Sequence, residues 1–300
     1  MDHLRNLSVL AVAGVVALTG CRSAPASSSD ASTAAASASA GVAPSASSSA
    51  NASPVTEPVA TAVAVPTHDV AVYYLADTTN GPRLYREAHR HTASASVVRQ
   101  AVDAMLHDTP RDPDYVSVWP RATTVRGISV SRGVATVDFS AAVKGANVGG
   151  AFELMGLQQL VYTIRAAAPS VTGVHIRVNG ANVETLWGHA DTRGILKPDE
   201  PFMVLAPVQI NSPDNGATVT SPVTVRGVAT VFEATVSWQV LSNGVAIREG
   251  FVTASIGAPG RGTWSFVVKL PKGSYTVKAF ESSAKDGSET FIDTKRVTVR

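Results

Sequence analysis

The sequence predicts an α+β domain, an antiparallel sheet with two helices, followed by an all-β sandwich, the pair preceded by a disordered linker. Three observations predict this. Residues 22–67 consist mostly of Ala, Ser, Thr, Val and Pro, with Arg22, Asp30 and Glu57 their only charges and no aromatic side chain. Such a stretch offers too little bulky apolar surface to offset the roughly 1–2 kcal/mol of chain entropy lost per ordered residue. From Val70 onward, apolar side chains recur alternately at strand and helix spacing. Beyond Pro207 only the strand spacing persists, cut by turn residues as far as Arg300.

At the N-terminus, Asp2 and Arg5 precede the uncharged run Leu7 to Leu18. A bilayer-spanning helix needs about 20 apolar residues, a secretory core only about 7–15, so the run reads as a signal peptide over residues 1–20. Leu18-Thr19-Gly20-Cys21 resembles the bacterial lipobox, which implies diacylglyceryl transfer to the Cys21 thiol and cleavage before it. Cys21 is the only cysteine, so no disulfide can form within one chain, and lipidation accounts for a lone cysteine in an exported protein. Two or more acyl chains, at about 0.8 kcal/mol per buried CH₂, give stable anchoring. The expected location is the extracytoplasmic face of the cell membrane.

Residues 21–67 then form the lipidated cysteine and its tether. As a flexible coil the tether has an end-to-end distance of roughly 35–40 Å and a stretched reach of about 150 Å. Its Ser/Thr density with proline resembles O-glycosylated stalks, and a plain spacer explains the same composition. The net charge is +2 with Lys and Arg dispersed, which excludes a nucleic-acid partner. Eighteen arginines against seven lysines fit a GC-rich, actinobacterial genome.

The first folded domain is predicted over residues 68–190. Val70 to Leu75 is a β-branched and aromatic strand bounded by Asn80-Gly81-Pro82, and Leu84 to Arg90 is a second strand. Ser96 to His107 places Val98, Ala101, Val102 and Met105 on one helical face, with Pro110 and Pro113 beyond its end. Val125 to Val130 and Val134 to Phe139 form a hairpin around Arg132-Gly133. Ala151 to Ala167 is a longer helix with Leu157, Leu160, Val161 and Ile164 on its apolar face. The strand Val174 to Val178 ends in the hairpin signal Asn179-Gly180.

Gly127 to Ser140, Glu153, Gln159 to Ile164, Pro169 to Val171 and Val174 to Gly180 together resemble the GerM-type (GerMN) domain of sporulation and germination proteins. That resemblance implies a role in sporulation, germination or envelope assemblies. Asp138, Ser140 and Asn179-Gly180 within it are residue types that backbone geometry alone selects.

After an interdomain connection over residues 191–205, residues 206–300 are predicted to form a sandwich of roughly seven strands. Ala234, Val236, Trp238 and Val240 alternate along one strand, and Trp264, Phe266, Val268 and Leu270 along another, so that two tryptophans anchor the core. Turns are expected at Pro213 to Gly216, Asn243-Gly244, Lys272-Gly273 and Asp286-Gly287. Ser212-Pro213, Ser221-Pro222, Val225 to Ala229, Phe232 to Ala234 and Phe280 to Ser282 with Asp286-Gly287 resemble the Gmad immunoglobulin-like domain of spore germination proteins. Glu233 and Glu281 are its acidic positions and read as solvated strand-end carboxylates.

No catalytic, metal or cofactor residues are assigned. The chain has no Gly-x-Ser-x-Gly, and its one cysteine is the anchor. His89 and His91 share a strand face without a third ligand and read as an exposed polar face beside Arg86 and Arg90. Asp108, Asp112 and Asp114 sit in one loop, but Pro110 and Pro113 break the spacing of a calcium loop. Gly257 to Gly262 lacks the ending of a phosphate-binding loop. The expected function is therefore a non-catalytic envelope lipoprotein whose domains bind other envelope proteins or themselves. The alternatives are a wall-glycan binder using Trp119 or Trp187 as a stacking surface, and a cryptic wall hydrolase.

Overall fold

The computed structural model describes residues 66–300; Cys21, the signal peptide and nearly all of the tether lie outside the described residues. The chain begins with β1 (Thr67–Ala76) and β2 (Arg83–Thr92), a hairpin in unbroken register from Thr67 opposite Thr92 to Ala76 opposite Arg83. Helix α1 (Val97–His107) follows, its N-terminus capped by the Ser96 side chain, which accepts the Arg99 N–H. Next come β3 (Val125–Ser131) and β4 (Val134–Phe139) around Arg132-Gly133, both at positive φ as a two-residue hairpin turn requires. Helix α2 (Gly150–Ala167), β5 (Gly173–Val178) and the short β6 (Ala181–Asn182) complete this domain.

The α+β class holds, with two departures in the sheet. The strands divide into a two-stranded sheet, β1-β2, and a four-stranded one, β3-β4-β5-β6. Within the second, β4 and β5 run parallel, because α2 carries the chain from one strand to the next as a crossover, which a tight turn could not do. Helix α2 is also buried on more than the predicted face: Met155 to Ile164 are buried without a break. Val72, Met105, Phe139, Leu160, Ile164 and Ile176, all fully buried, make the core between the helices and the sheets.

Residues 191–205 dock on this domain. Leu196 pairs with Val174, and Gln158 on α2 donates to the Lys197 carbonyl and accepts the Asp199 N–H. Tyr162 donates to the Asp199 carbonyl at 2.6 Å. The single turn α3 (Pro201–Val204) leads to Leu205, which bridges to Leu84.

Eight strands follow, one more than the alternation suggested: β7 (Val208–Ser212), β8 (Ala217–Val219), β9 (Val223–Ala229), β10 (Thr235–Ser242), β11 (Val245–Thr253), β12 (Gly262–Val268), β13 (Gly273–Ser282) and β14 (Glu289–Val299). They form a sandwich of a three-stranded sheet, β12-β9-β7, and a five-stranded sheet, β11-β10-β13-β14-β8. The unforeseen strand is β8, three residues running parallel to the end of β14 and too short to show a period. Trp264 lies in the core, its ring over Gly227, where any Cβ would collide with the indole and with the Gln209 carbonyl. Trp238 is half-buried and stacks on Phe266 at 4.2 Å, so only one of the two tryptophans anchors the interior.

Candidate interaction site

Strand alternation puts Glu87, His89 and His91 on one face of β2. The reading of the histidines as an exposed polar face fails for His89, which is buried. Its Nε2 lies 2.9 Å from Glu87 and its Nδ1 3.2 Å from Asp108, whose same oxygen receives His91 Nε2 at 2.8 Å. A ring with a carboxylate at each nitrogen is stabilised as the doubly protonated imidazolium. Burial alone would lower the His89 pKa, but the hydrogen bonds to Asp108 and Glu87 win and push it up to about 9. Burial likewise acts to raise Glu87 and Asp108, and the hydrogen bonds they accept hold both below their ordinary values.

Glu87 also accepts the N–H groups of Arg111 and Asp112, each at 2.9 Å. The loop after α1 is thereby pinned to β2, with Asp112 buried and aimed at the sandwich. There Asp293 and Lys295 point inward from β14, in phase with Val297 and Val299. Lys295 Nζ donates to Asp112 at 2.6 Å, to Asp293 at 2.8 Å and to the Tyr115 hydroxyl at 2.6 Å, and lies 4.5 Å from the Tyr115 ring centroid. Asp293 further accepts the Ile210 N–H from β7 and the Tyr115 hydroxyl. Burial acts to lower the Lys295 pKa, and the fields of Asp293 and Asp112 raise it above its ordinary value, so the ammonium stays charged.

Tyr115 stacks on Tyr85 at 4.6 Å. Around this buried cluster Gln209 donates to the Arg86 carbonyl at 2.6 Å, Arg261 to the Ala206 carbonyl at 2.7 Å, and Asn215 to the Arg111 carbonyl at 3.0 Å. Arg111 pairs with Asp214. A buried ionic cluster with a polar rim therefore clasps the α+β part to the sandwich.

The acidic loop is thus a set of internal ion pairs: Asp108 serves two histidines, Asp112 serves Lys295, and only Asp114 is exposed. Among the described residues no three His, Cys, Asp or Glu side chains are arranged to hold a metal ion. Trp119 is buried and donates to the Gly156 carbonyl, so its ring presents no face to a glycan. Trp187 meets it edge-on at 5.2 Å and donates to Val143. Glu281 accepts the Phe232 N–H, while Glu233 is exposed at φ 51°. Asp138 accepts the Gly180 N–H and Ser140 the Thr124 N–H, both within the sheet framework.

Sequence reasoning missed the roles of Glu153, Asp293 and Lys295. Glu153, fully buried at the start of α2, accepts the Thr185 hydroxyl, the N–H groups of Trp187 and His189, and His189 Nδ1. Burial acts to raise its pKa, and these hydrogen bonds keep it below the ordinary value. A signal existed: Glu153 is in helical phase with Leu157, Leu160 and Ile164, and Lys295 in strand phase with Val297 and Val299.

An α+β domain clasped by buried charges to an immunoglobulin-like sandwich, its inward-facing charges spent on architecture, defines a two-domain module. Residues 71–184 match the family described as sporulation and spore germination, and residues 207–288 the immunoglobulin-like domain of bacterial spore germination, so the chain carries a domain of each. It is similar to the first GerMN domain of the sporulation protein GerM from Bacillus subtilis, at 22% identity over 43% of this chain and 97% of that one, TM-score 0.34. It is also similar to the tandem GerMN domains of that protein, at 16% identity over 67% of this chain and 62% of that one, TM-score 0.37. A candidate lipoprotein from Clostridium perfringens matches at 16% identity over 44% of this chain and 87% of its own, TM-score 0.33. No curated protein matches the chain.

Proposed function

We propose that the chain is a non-catalytic envelope module, anchored by lipid on Cys21, that works by contact with other envelope proteins or with copies of itself. One observation supports this reading above the others. The charged side chains that the fold gathers, Glu87, His89, Asp112, Glu153, Asp293 and Lys295, are buried and paired with one another or with backbone, which suits scaffolding more than chemistry. Its two domains match sporulation and spore germination families, which supports a role linked to those processes. No helix among the described residues is long and apolar enough to cross a membrane.

The test is crosslinking in intact cells followed by identification of the captured proteins. Defined envelope partners or self-crosslinks are expected, and capture of none would refute contact as the function. Attachment is tested separately: Cys21→Ala should abolish lipid labelling and release the protein from membranes.

A further inference from the structure

We propose that the cleft between the two domains is a docking groove for an extended, cationic peptide segment of a partner protein, a proposal that rests on the contact role above. The cleft has a volume of about 660 Å³ and lies directly over the buried cluster, with Tyr85, Tyr115 and Asp293 in its lining. Its two walls come from different domains.

One wall is the backbone of β14. Glu289 to Thr294, six consecutive residues, all line the cleft. Phe291 at φ 52° and the register break opposite Phe280 interrupt the strand alternation here, and all six residues reach the cleft. Among the described residues β14 pairs with β13 on one side, and on the other with β8 only at Val297 to Val299. The edge from Glu289 to Thr294 therefore has no neighbouring strand, and an unpaired edge is a template for an added one. β14 adds Ile292, 43% exposed, to this wall.

The facing wall is the β1–β2 turn with Asp114, Val116 and Phe152. Val116 is 46% exposed, an apolar surface for alternate side chains of an inserted strand. The charge is of one sign. Asp77, Asp114 and Glu289 line the cleft and are exposed, and among the described residues no Lys or Arg lines it. Glu289 already holds Lys278, whereas Asp77 and Asp114 form no ion pair among the described residues. A segment that pairs with β14, seats apolar side chains against Val116 and Ile292, and sets Lys or Arg beside Asp77 and Asp114 satisfies all three features. The chain's own residues 22–65 carry Arg22 as their single cation and do not fit that chemistry.

The experiment measures binding of two fluorescent hexapeptides, alternating Lys-Val and alternating Glu-Val, to the full-length protein. The lysine peptide should bind and the glutamate peptide should not. Asp77→Lys with Asp114→Lys should weaken the lysine peptide about fivefold or more, two charge pairs of about 0.5 kcal/mol each being lost and replaced by repulsion. Val116→Ser should reduce binding by removing apolar surface without changing the charge of the cleft. Binding of both peptides alike, binding of neither, or indifference to all three substitutions would overturn the proposal. Crosslinks to envelope proteins that persist in Asp77→Lys, Asp114→Lys cells would then show that the contact role stands on another surface. Absence of crosslinks in wild-type cells would end the contact role itself, whatever the peptides do.

Discussion

At the scale of single residues, this molecule is organised by charges that sit where apolar side chains would be expected. His89 sets a measurable pH limit. Its folded pKa, raised from 6.5 to about 9, means that its stabilising contribution is complete below the unfolded value and is lost as pH climbs through 9. At about 1.4 kcal/mol per pKa unit, that loss is on the order of 3 kcal/mol. Glu87, Asp108 and Glu153 are held low, so their contributions are present above the ordinary carboxylate pKa and fade as pH falls through the lower folded values. Urea titrations across pH should show maximal stability between about pH 5 and 6.5, bounded by those unfolded values. His89→Asn should flatten the alkaline limb and also weaken the acid one, because Glu87 and Asp108 each lose a hydrogen bond that holds them low. Glu153→Ala strips a fully buried acceptor from the N–H groups of Trp187 and His189. It should cost about 1–3 kcal/mol in the same measurement, since these partly buried donors lose their acceptor.

At the scale of elements, much of the fold was readable from turn chemistry and period. Arg132-Gly133, Asn179-Gly180 and Asn243-Gly244 each adopt positive φ at both residues, as their dipeptides suggested. The parallel pairing of β4 and β5, the three residues of β8 and the docking of residues 191–205 were not legible. Each depends on partners distant in sequence, and none leaves a local period. The buried charges were hidden for a related reason: composition marks Lys and Asp as surface residues, and only their phase with apolar neighbours marks them as inward. One element-level position is sharply constrained. Gly227 on β9 lies flat beneath Trp264 and against the Gln209 carbonyl, so a methyl group there must push β7 or the indole aside. Gly227→Ala should lower stability by about 2 kcal/mol, read as a shift in urea midpoint with unchanged slope.

At the scale of the whole molecule, the clasp around Lys295 makes one unfolding unit of two recognisable domains. Calorimetry should show a single cooperative transition for the wild-type chain. Lys295→Met removes the cation from between Asp112 and Asp293 and should cost about 3–5 kcal/mol, because two carboxylates remain buried without it. The same substitution should split the transition in two if the cluster carries the coupling. A single peak for the variant would assign the coupling to the surrounding hydrogen bonds of Gln209, Arg261 and Asn215.

The position of Lys295 also bears on how the chain acquires its shape. Its partner Asp112 is 183 residues earlier in the sequence. A ribosome releases the earlier domain first, with Asp112 still hydrated and the mouth of the later sandwich not yet made. Only when β14 arrives can the clasp close, so the relative placement of the two domains is fixed as a last event.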